Sequence, residues 1–185
     1  MAKTPSSMVP LGTSAHAFSL LDVVSNNIVK LPEASAHKAV VIMFICNHCP
    51  FVKHVSKEIA HLANDYMSKN ILFLAINSND VSSHPDDSPE HMISTAEQNK
   101  YPFPYLYDET QQVAKAYNAA CTPDFFIYDQ ALHLAYRGQL DDSRPGNNIE
   151  PDGSSIREAL DCILDNKPAP QQQKPSIGCN IKWKE

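Results

Sequence analysis

The stretch Ala39-Val-Val-Ile-Met-Phe-Ile-Cys46-Asn-His-Cys49-Pro-Phe-Val-Lys-His54 decides the fold. Ala39 to Ile45 is a continuous apolar run of strand length, the pattern of a strand covered on both faces in a parallel sheet, so it should be central. Beyond the cysteines the pattern changes period: Val52, Val55, Ile59, Leu62 and Tyr66 fall at spacings of three and four, one face of an amphipathic helix. Two cysteines spaced C-x-x-C therefore sit where a buried strand gives way to a helix. A helix N-terminus presents unpaired N–H groups and a partial positive charge that stabilise a thiolate, so the position points to chemistry rather than packing.

Outward from this stretch, Ile71 to Ile76 reads as a second buried strand, and strand–helix–strand of this length implies a right-handed parallel crossover. Residues 15–31 hold two short apolar segments around Ser25-Asn26-Asn27, a β-hairpin pattern. Downstream, Ser88-Pro89 starts a helix to about Lys100, and Phe103 to Asp108 reads as a short edge-like strand because Pro104 cannot donate to a ladder. Thr110 to Tyr117 is a short helix. Asp124–Asp129 and Leu132–Leu140 form a second hairpin, and Ser155-Ile-Arg-Glu158 has capping-box spacing ahead of a last helix. A Pro/Gln-rich linker follows. The expected organisation is an N-terminal tail over residues 1–14, one domain over 15–165, and a linker with a C-terminal tail over 166–185.

With 185 residues, 43% of them hydrophobic, the chain can bury one substantial core. Its 21 acidic and 15 basic side chains are spread without blocks, so no basic face exists to neutralise phosphates; nucleic acid and membrane are excluded as expected partners. The first residues lack the apolar core of a signal peptide and no run approaches the length that spans a bilayer, which predicts a cytoplasmic protein. Five cysteines are too few for a disulfide scaffold. In a reducing compartment, one C-x-x-C without a second pair leans towards redox use.

The order β-hairpin, β, C-x-x-C, α, β, α, X-Pro, β-hairpin, α resembles the thioredoxin superfamily. The closer resemblance is to its peroxiredoxin-like (redoxin, AhpC/TSA-type) branch. It is carried by Cys46-Asn-His-Cys49-Pro-Phe-Val-Lys-His54, Cys121-Thr-Pro-Asp-Phe-Phe126 and Ile177-Gly-Cys-Asn-Ile-Lys-Trp183, and spans about Ala15 to Glu185. It implies an α/β thioredoxin-like fold: a central mixed β-sheet flanked by helices, with an N-terminal β-hairpin extension and a C-terminal tail. It further implies a thiol–disulfide oxidoreductase of cell redox homeostasis, with Cys46 the exposed nucleophile and Cys49 the resolving thiol. With Cys46 at the helix cap, Cys49 is expected one turn inward. A protonated His48 beside Cys46 favours the thiolate, hence the reduced form and a more oxidising couple. Thr122-Pro123 resembles the family's X-cis-Pro, which offers backbone hydrogen bonds to substrate.

Two departures from the family stand out. Peroxiredoxins carry threonine or serine three residues before the peroxidatic cysteine; here that position is Met43 for Cys46 and Cys46 for Cys49. Thioredoxins keep a buried acid in the strand before C-x-x-C, yet Val40 to Ile45 has no ionisable side chain; Asp124, His48 and His54 are the substitutes in sequence. Cys121 and Cys179 are accessory redox candidates, and Cys162 falls among apolar helix residues. The linker over 166–176 can extend about 35 Å at roughly 3.3 Å per residue, enough to carry Cys179 over the domain, with Ile181 and Trp183 as anchors. Expected partners are a disulfide-containing protein or small molecule and a recycling dithiol reductant. No cofactor beyond the cysteine pair and no metal is expected, since structural zinc needs four ligands and no second pair follows at zinc spacing; His84 to His91 reads as a solvated face. The rivals are a thiol peroxidase, a metal-binding module and a redox-inactive interaction module.

Overall fold

The computed structural model describes residues 3–32 and 36–185. In chain order its strands are β1 (Lys3–Pro5), β2 (Phe18–Asp22), β3 (Asn27–Leu31), β4 (Ala39–Phe44), β5 (Ile71–Asn77), β6 (Tyr105–Tyr107), β7 (Cys121–Thr122), β8 (Asp124–Asp129), β9 (Leu134–Gly138) and β10 (Ile177–Asn180). The helices are α1 (Pro50–Met67), α2 (Pro89–Asn99), α3 (Gln112–Ala116) and α4 (Ser154–Leu164). Seven strands form one mixed sheet in the order β3-β2-β6-β5-β4-β8-β9, with β4, β5 and β6 parallel and the other pairs antiparallel. β4 is central, as its apolar run requires. Its register runs from Ala39↔Ile71 to Phe44↔Ile76 on one side and from Ala39↔Asp129 to Phe44↔Asp124 on the other.

Alternation along the strands separates two cores. Val41, Met43, Phe73 and Ile127 face α1, α2 and α4 through Val52, Ile59, Leu62, Met92 and Leu160. Val40, Ile42, Phe44 and Leu74 face the opposite side, where Tyr117 and Phe126 close over them. Each such buried Val, Leu, Ile or Phe contributes about 1.5–3 kcal/mol by area removed from water. The β2–β3 hairpin turns at Asn26, whose φ of 59° is a conformation asparagine tolerates. Asp22 accepts from Val24 N, Ser25 N and Tyr105 N, and so ties the hairpin to β6.

Three sequence expectations are corrected. β6 is an interior strand, not an edge: Pro104 ends before the ladder starts, and β2 covers the side left open by β5. The capping box at Ser155 does not form, because Gly153, not Ser155, is the α4 N-cap. Instead Asp141 accepts the N–H groups of Asp152 and Gly153, and Leu140 O accepts those of Ser155 and Ile156. Thirdly, the segments read as tails carry strands. β10 pairs antiparallel with both β1 and β7, making a second, three-stranded sheet. The linker is docked along β9, with Gln139 N donating to Lys174 O and Arg137 N to Gln173 Oε1. Ile181 is buried as an anchor, while Trp183 stays 41% exposed; Gln111 does that work by bonding Lys182 O and Lys184 N. No described helix is long and apolar enough to cross a membrane.

Candidate active site

β4 delivers the cysteines. Ile45 N still donates to Ile76 O, so strand pairing persists to the residue before Cys46. Cys49 is the N-cap of α1 in extended conformation, and Pro50 takes the first helical position, where a missing N–H is no loss. The helix thus begins one turn later than expected: Cys49, not Cys46, is at the cap. Neither sulfur is on the surface, Cys46 being 1% exposed and Cys49 0%, which corrects the expectation of an exposed Cys46.

Cys49 Sγ lies 2.9 Å from Cys179 Sγ and 3.3 Å from Thr122 O; Cys46 Sγ lies 3.2 Å from Thr122 Oγ1. The interaction between Cys46 and Cys49 polarises the pair. It is the largest effect pulling the Cys49 thiol down to about 5; burial opposes it, and donation from Cys179 and from backbone N–H groups adds to it. The same interaction, burial and the Asp87 charge push Cys46 well above its ordinary range. Both directions, and the α1 N-terminus beside Cys49, favour the negative charge on Cys49 over Cys46. Protonated, Cys49 would donate to Thr122 O; ionised, it gathers donors instead.

His48 projects from the same loop, and its Nδ1 lies 2.6 Å from Asp87 Oδ2. Asp87 also accepts from Asn47 N (2.7 Å) and Asn79 Nδ2 (2.7 Å). Burial alone would raise the Asp87 pKa, but these donors win and hold it below the usual carboxylate range. The bond to Asp87 raises His48 against the opposing effect of burial. The His48 ring also stacks on His84, centroids 5.1 Å apart. Asp87 is 0% exposed, so the loop read as a solvated face places a buried acid beside the C-x-x-C loop. Asp86 next to it is exposed, and no sequence signal separates the two; a 3-10 turn over Pro85–Asp87, between two prolines, turns Asp87 inward.

Cys46 Sγ, a His48 ring nitrogen and an Asp87 oxygen lie within 4.8 Å of one another, a grouping that a cation could use. Two ligands of one tetrahedral zinc stand roughly 3.3 Å apart, given bonds of about 2.0–2.3 Å. The 2.6 Å His48–Asp87 separation is that of a shared proton, so this arrangement is a hydrogen-bonded dyad beside a thiol.

Thr122 touches both cysteines, and the Thr122–Pro123 bond is cis, as the resemblance implies; Leu31–Pro32 is a second cis bond with no counterpart in the sequence reading. Of the other proton acceptors considered, Asp124 is buried against Arg137 (3.1 Å), with burial outweighing that pairing to put its carboxyl at about 6. His54 lies beside Pro123 and Phe51 on a small, shallow cleft. Cys121 is fully buried, pushed far up by burial, with its thiol aimed at Pro123 O (3.6 Å) rather than at the pair. Cys162 is half-buried on α4. Cys179, the most remote in sequence, is the one brought to the site.

The AhpC/TSA family pattern matches residues 11–137. A protein from Geobacillus kaustophilus, known only as an uncharacterized conserved protein, is 60% identical, with 100% of this chain and 97% of that one covered at a TM-score of 0.97. A hypothetical protein from Sinorhizobium meliloti 1021 is 44% identical, with 98% of each chain covered at a TM-score of 0.95. Peroxidoxin BcpB from Mycobacterium tuberculosis is 17% identical, covering 84% of this chain and 96% of that one at a TM-score of 0.60, a likeness of fold alone. No curated protein matches. With the family pattern spanning the hairpin, the central strands, both cysteines and the cis-proline, the chain belongs to the AhpC/TSA family.

Proposed function

We propose that this protein is a thiol–disulfide oxidoreductase that uses Cys46 and Cys49 as its redox pair. The carrying observation is a thiolate-stabilising arrangement around Cys49: the α1 N-terminus, the Cys46 and Cys179 thiols and backbone donors converge on one sulfur. The thiolate, not the thiol, is the nucleophile. Cys49 therefore attacks a substrate disulfide, forming a mixed disulfide and expelling one substrate thiolate. Cys46 then loses its proton towards the His48–Asp87 dyad and attacks the Cys49 sulfur, closing the Cys46–Cys49 disulfide and releasing the second substrate thiolate. This reverses the roles drawn from the family resemblance, because Pro50 sets the helix start at Cys49. A dithiol reductant resets the pair. Thr122 and Pro123 form the backbone against which substrate lies.

One observation favours a second reading. Cys46 stands three residues before Cys49, where peroxiredoxins carry threonine or serine, and it lowers the Cys49 pKa as such a hydroxyl would. Cys49 attack on a hydroperoxide would then give a sulfenic acid that Cys46 condenses to the same disulfide. The two readings separate by turnover with dithiothreitol as reductant: an oxidoreductase reduces insulin disulfides and leaves cumene hydroperoxide untouched, and a peroxidase does the opposite. Loss of insulin reduction in Cys49→Ser and a lowered rate in Cys46→Ser are expected. Retained turnover in Cys49→Ser defeats the dithiol mechanism.

A further inference from the structure

Cys179 reaches the site because β10 lies flush on the strand that carries Thr122. In the register Cys179↔Thr122 and Asn180↔Cys121, a Cβ at Gly178 would overlap the Thr122 carbonyl, so only glycine permits this approach. The segment is fastened along its length. Ser176 Oγ donates to Pro123 O (2.6 Å), β1 pairs along the other side, Ile181 is 1% exposed, and Lys182 N donates to Asn79 Oδ1 (2.8 Å). Asn79 in turn holds Asp87 through Nδ2. Cys49 thus has a thiol on either side, Cys46 from its own loop and Cys179 from β10. The 2.9 Å between Cys49 and Cys179 needs less than about 1 Å of approach to reach disulfide bonding distance.

We propose that Cys179 is a third redox thiol, which takes the disulfide over from Cys46, and that β10 delivers it to Cys49. The inference rests on the Cys46–Cys49 reading above. In the step, the Cys179 thiolate attacks the Cys49 sulfur of the Cys46–Cys49 disulfide; a Cys49–Cys179 bond forms and Cys46 leaves as thiolate. The proton lost by Cys179 is regained at Cys46, so electrons and protons balance without any oxidant beyond the substrate disulfide that made the first bond. In the reduced protein, burial and the neighbouring Cys49 charge hold the Cys179 thiol up at about 12. Once Cys49 is in a disulfide that charge is gone, and Cys179 ionises more readily. The exchange locks β10 across Thr122–Pro123 and leaves Cys46 reduced.

The sequence makes the two bonds easy to tell apart. Trypsin leaves Cys46 and Cys49 together on the peptide 39–53, while Cys179 falls on 158–182. The reduced full chain is oxidised with one equivalent of diamide, quenched in acid, alkylated, digested and weighed. The expected product joins the two peptides; it persists in Cys46→Ser and Cys162→Ser and vanishes in Cys179→Ser, which instead shows 39–53 closed on itself. In Gly178→Ala, which crowds β10 off the Thr122 carbonyl, the joined product falls roughly tenfold or more, as an overpacked position requires, while the closed 39–53 peptide remains. A wild-type digest with 39–53 closed and Cys179 alkylated overturns the proposal and leaves the redox pair standing. A Cys179→Ser digest with no closed 39–53 peptide overturns the redox pair itself.

Discussion

Replacing Cys46 by alanine removes the donor that contributes most to the acidity of Cys49, while leaving the α1 N-terminus, Cys179 and the backbone donors in place. A hydrogen bond to a charged group is worth about 1.5–3 kcal/mol, and each pKa unit corresponds to 1.36 kcal/mol, so the Cys49 thiol should rise by about 1–2 units. Starting from about 5, it would titrate between about 6 and 7 in the variant. At pH 6 the Cys49 thiolate fraction would then fall from roughly 90% to between roughly 50% and 10%. Thiolate absorbance near 240 nm follows this directly, with Cys49→Ser as the blank. The same shift bears on stability. A thiol whose pKa is depressed on folding stabilises the fold fully above its unfolded value of about 8.5, and that contribution is lost as pH falls through about 5. The urea midpoint of the wild type should therefore drop from pH 8 to pH 5 more steeply than that of Cys49→Ser. If the low-pH thiolate signal survives Cys49→Ser and disappears in Cys46→Ala, the charge rests on Cys46 and the roles proposed here are reversed.

Asp87→Asn should lower the His48 pKa towards its ordinary value, seen by proton NMR of the imidazole, and weaken the fold in a pH-dependent way. His48, raised on folding, contributes below pH 6.5 and loses that contribution as pH rises through its folded value; Asp87, lowered on folding, contributes above pH 3.8 and loses it in acid. The gap in urea midpoint between wild type and variant should thus be widest near pH 5–6, and a gap that is flat with pH refutes the ion pair. Arg137→Met strands the buried Asp124 carboxylate at a cost of about 3–5 kcal/mol, which for a domain of this size lowers Tm by roughly 10 °C. Without Arg137 the Asp124 carboxyl rises further above 6, so the deficit should shrink as pH falls towards about 6; an unchanged Tm in calorimetry refutes the assignment.

The centre of the molecule was legible because its signals are local. Ala39 to Ile45 carries its own strand pattern, Val52 to Tyr66 its own helical face, and Asn26 its own turn, so the order around the cysteines follows from neighbours in sequence. What escaped depends on distant parts of the chain. Asp87 looks like Asp86 until Asn47, His48 and Asn79, from the loops after β4 and β5, close on it. Pro104 rules out a donor at one position, but whether the strand after it is an edge depends on where the β2–β3 hairpin lands. Ser155 has the right spacing for a capping box, but Asp141 and Leu140 arrive first. Ile177 to Asn180 is too short and mixed to announce a strand, and its partners lie at the far end of the chain and across the cis-proline.

Ser176 N donates to Ser6 Oγ across 170 residues, so the small sheet ties the two ends of the described chain into a ring. Closing a flexible loop of that length from the unfolded chain costs about 4.5 kcal/mol in chain entropy beyond the constant part, against ladders of only three and two residue pairs. Its short ladders are expected to open before those of the main sheet do. Amide exchange at residues 177–180 should then report the opening of the site itself. For the proposed activity, the rate at which β10 lifts from Thr122 is then the expected ceiling on turnover, whatever the speed of sulfur chemistry beneath it.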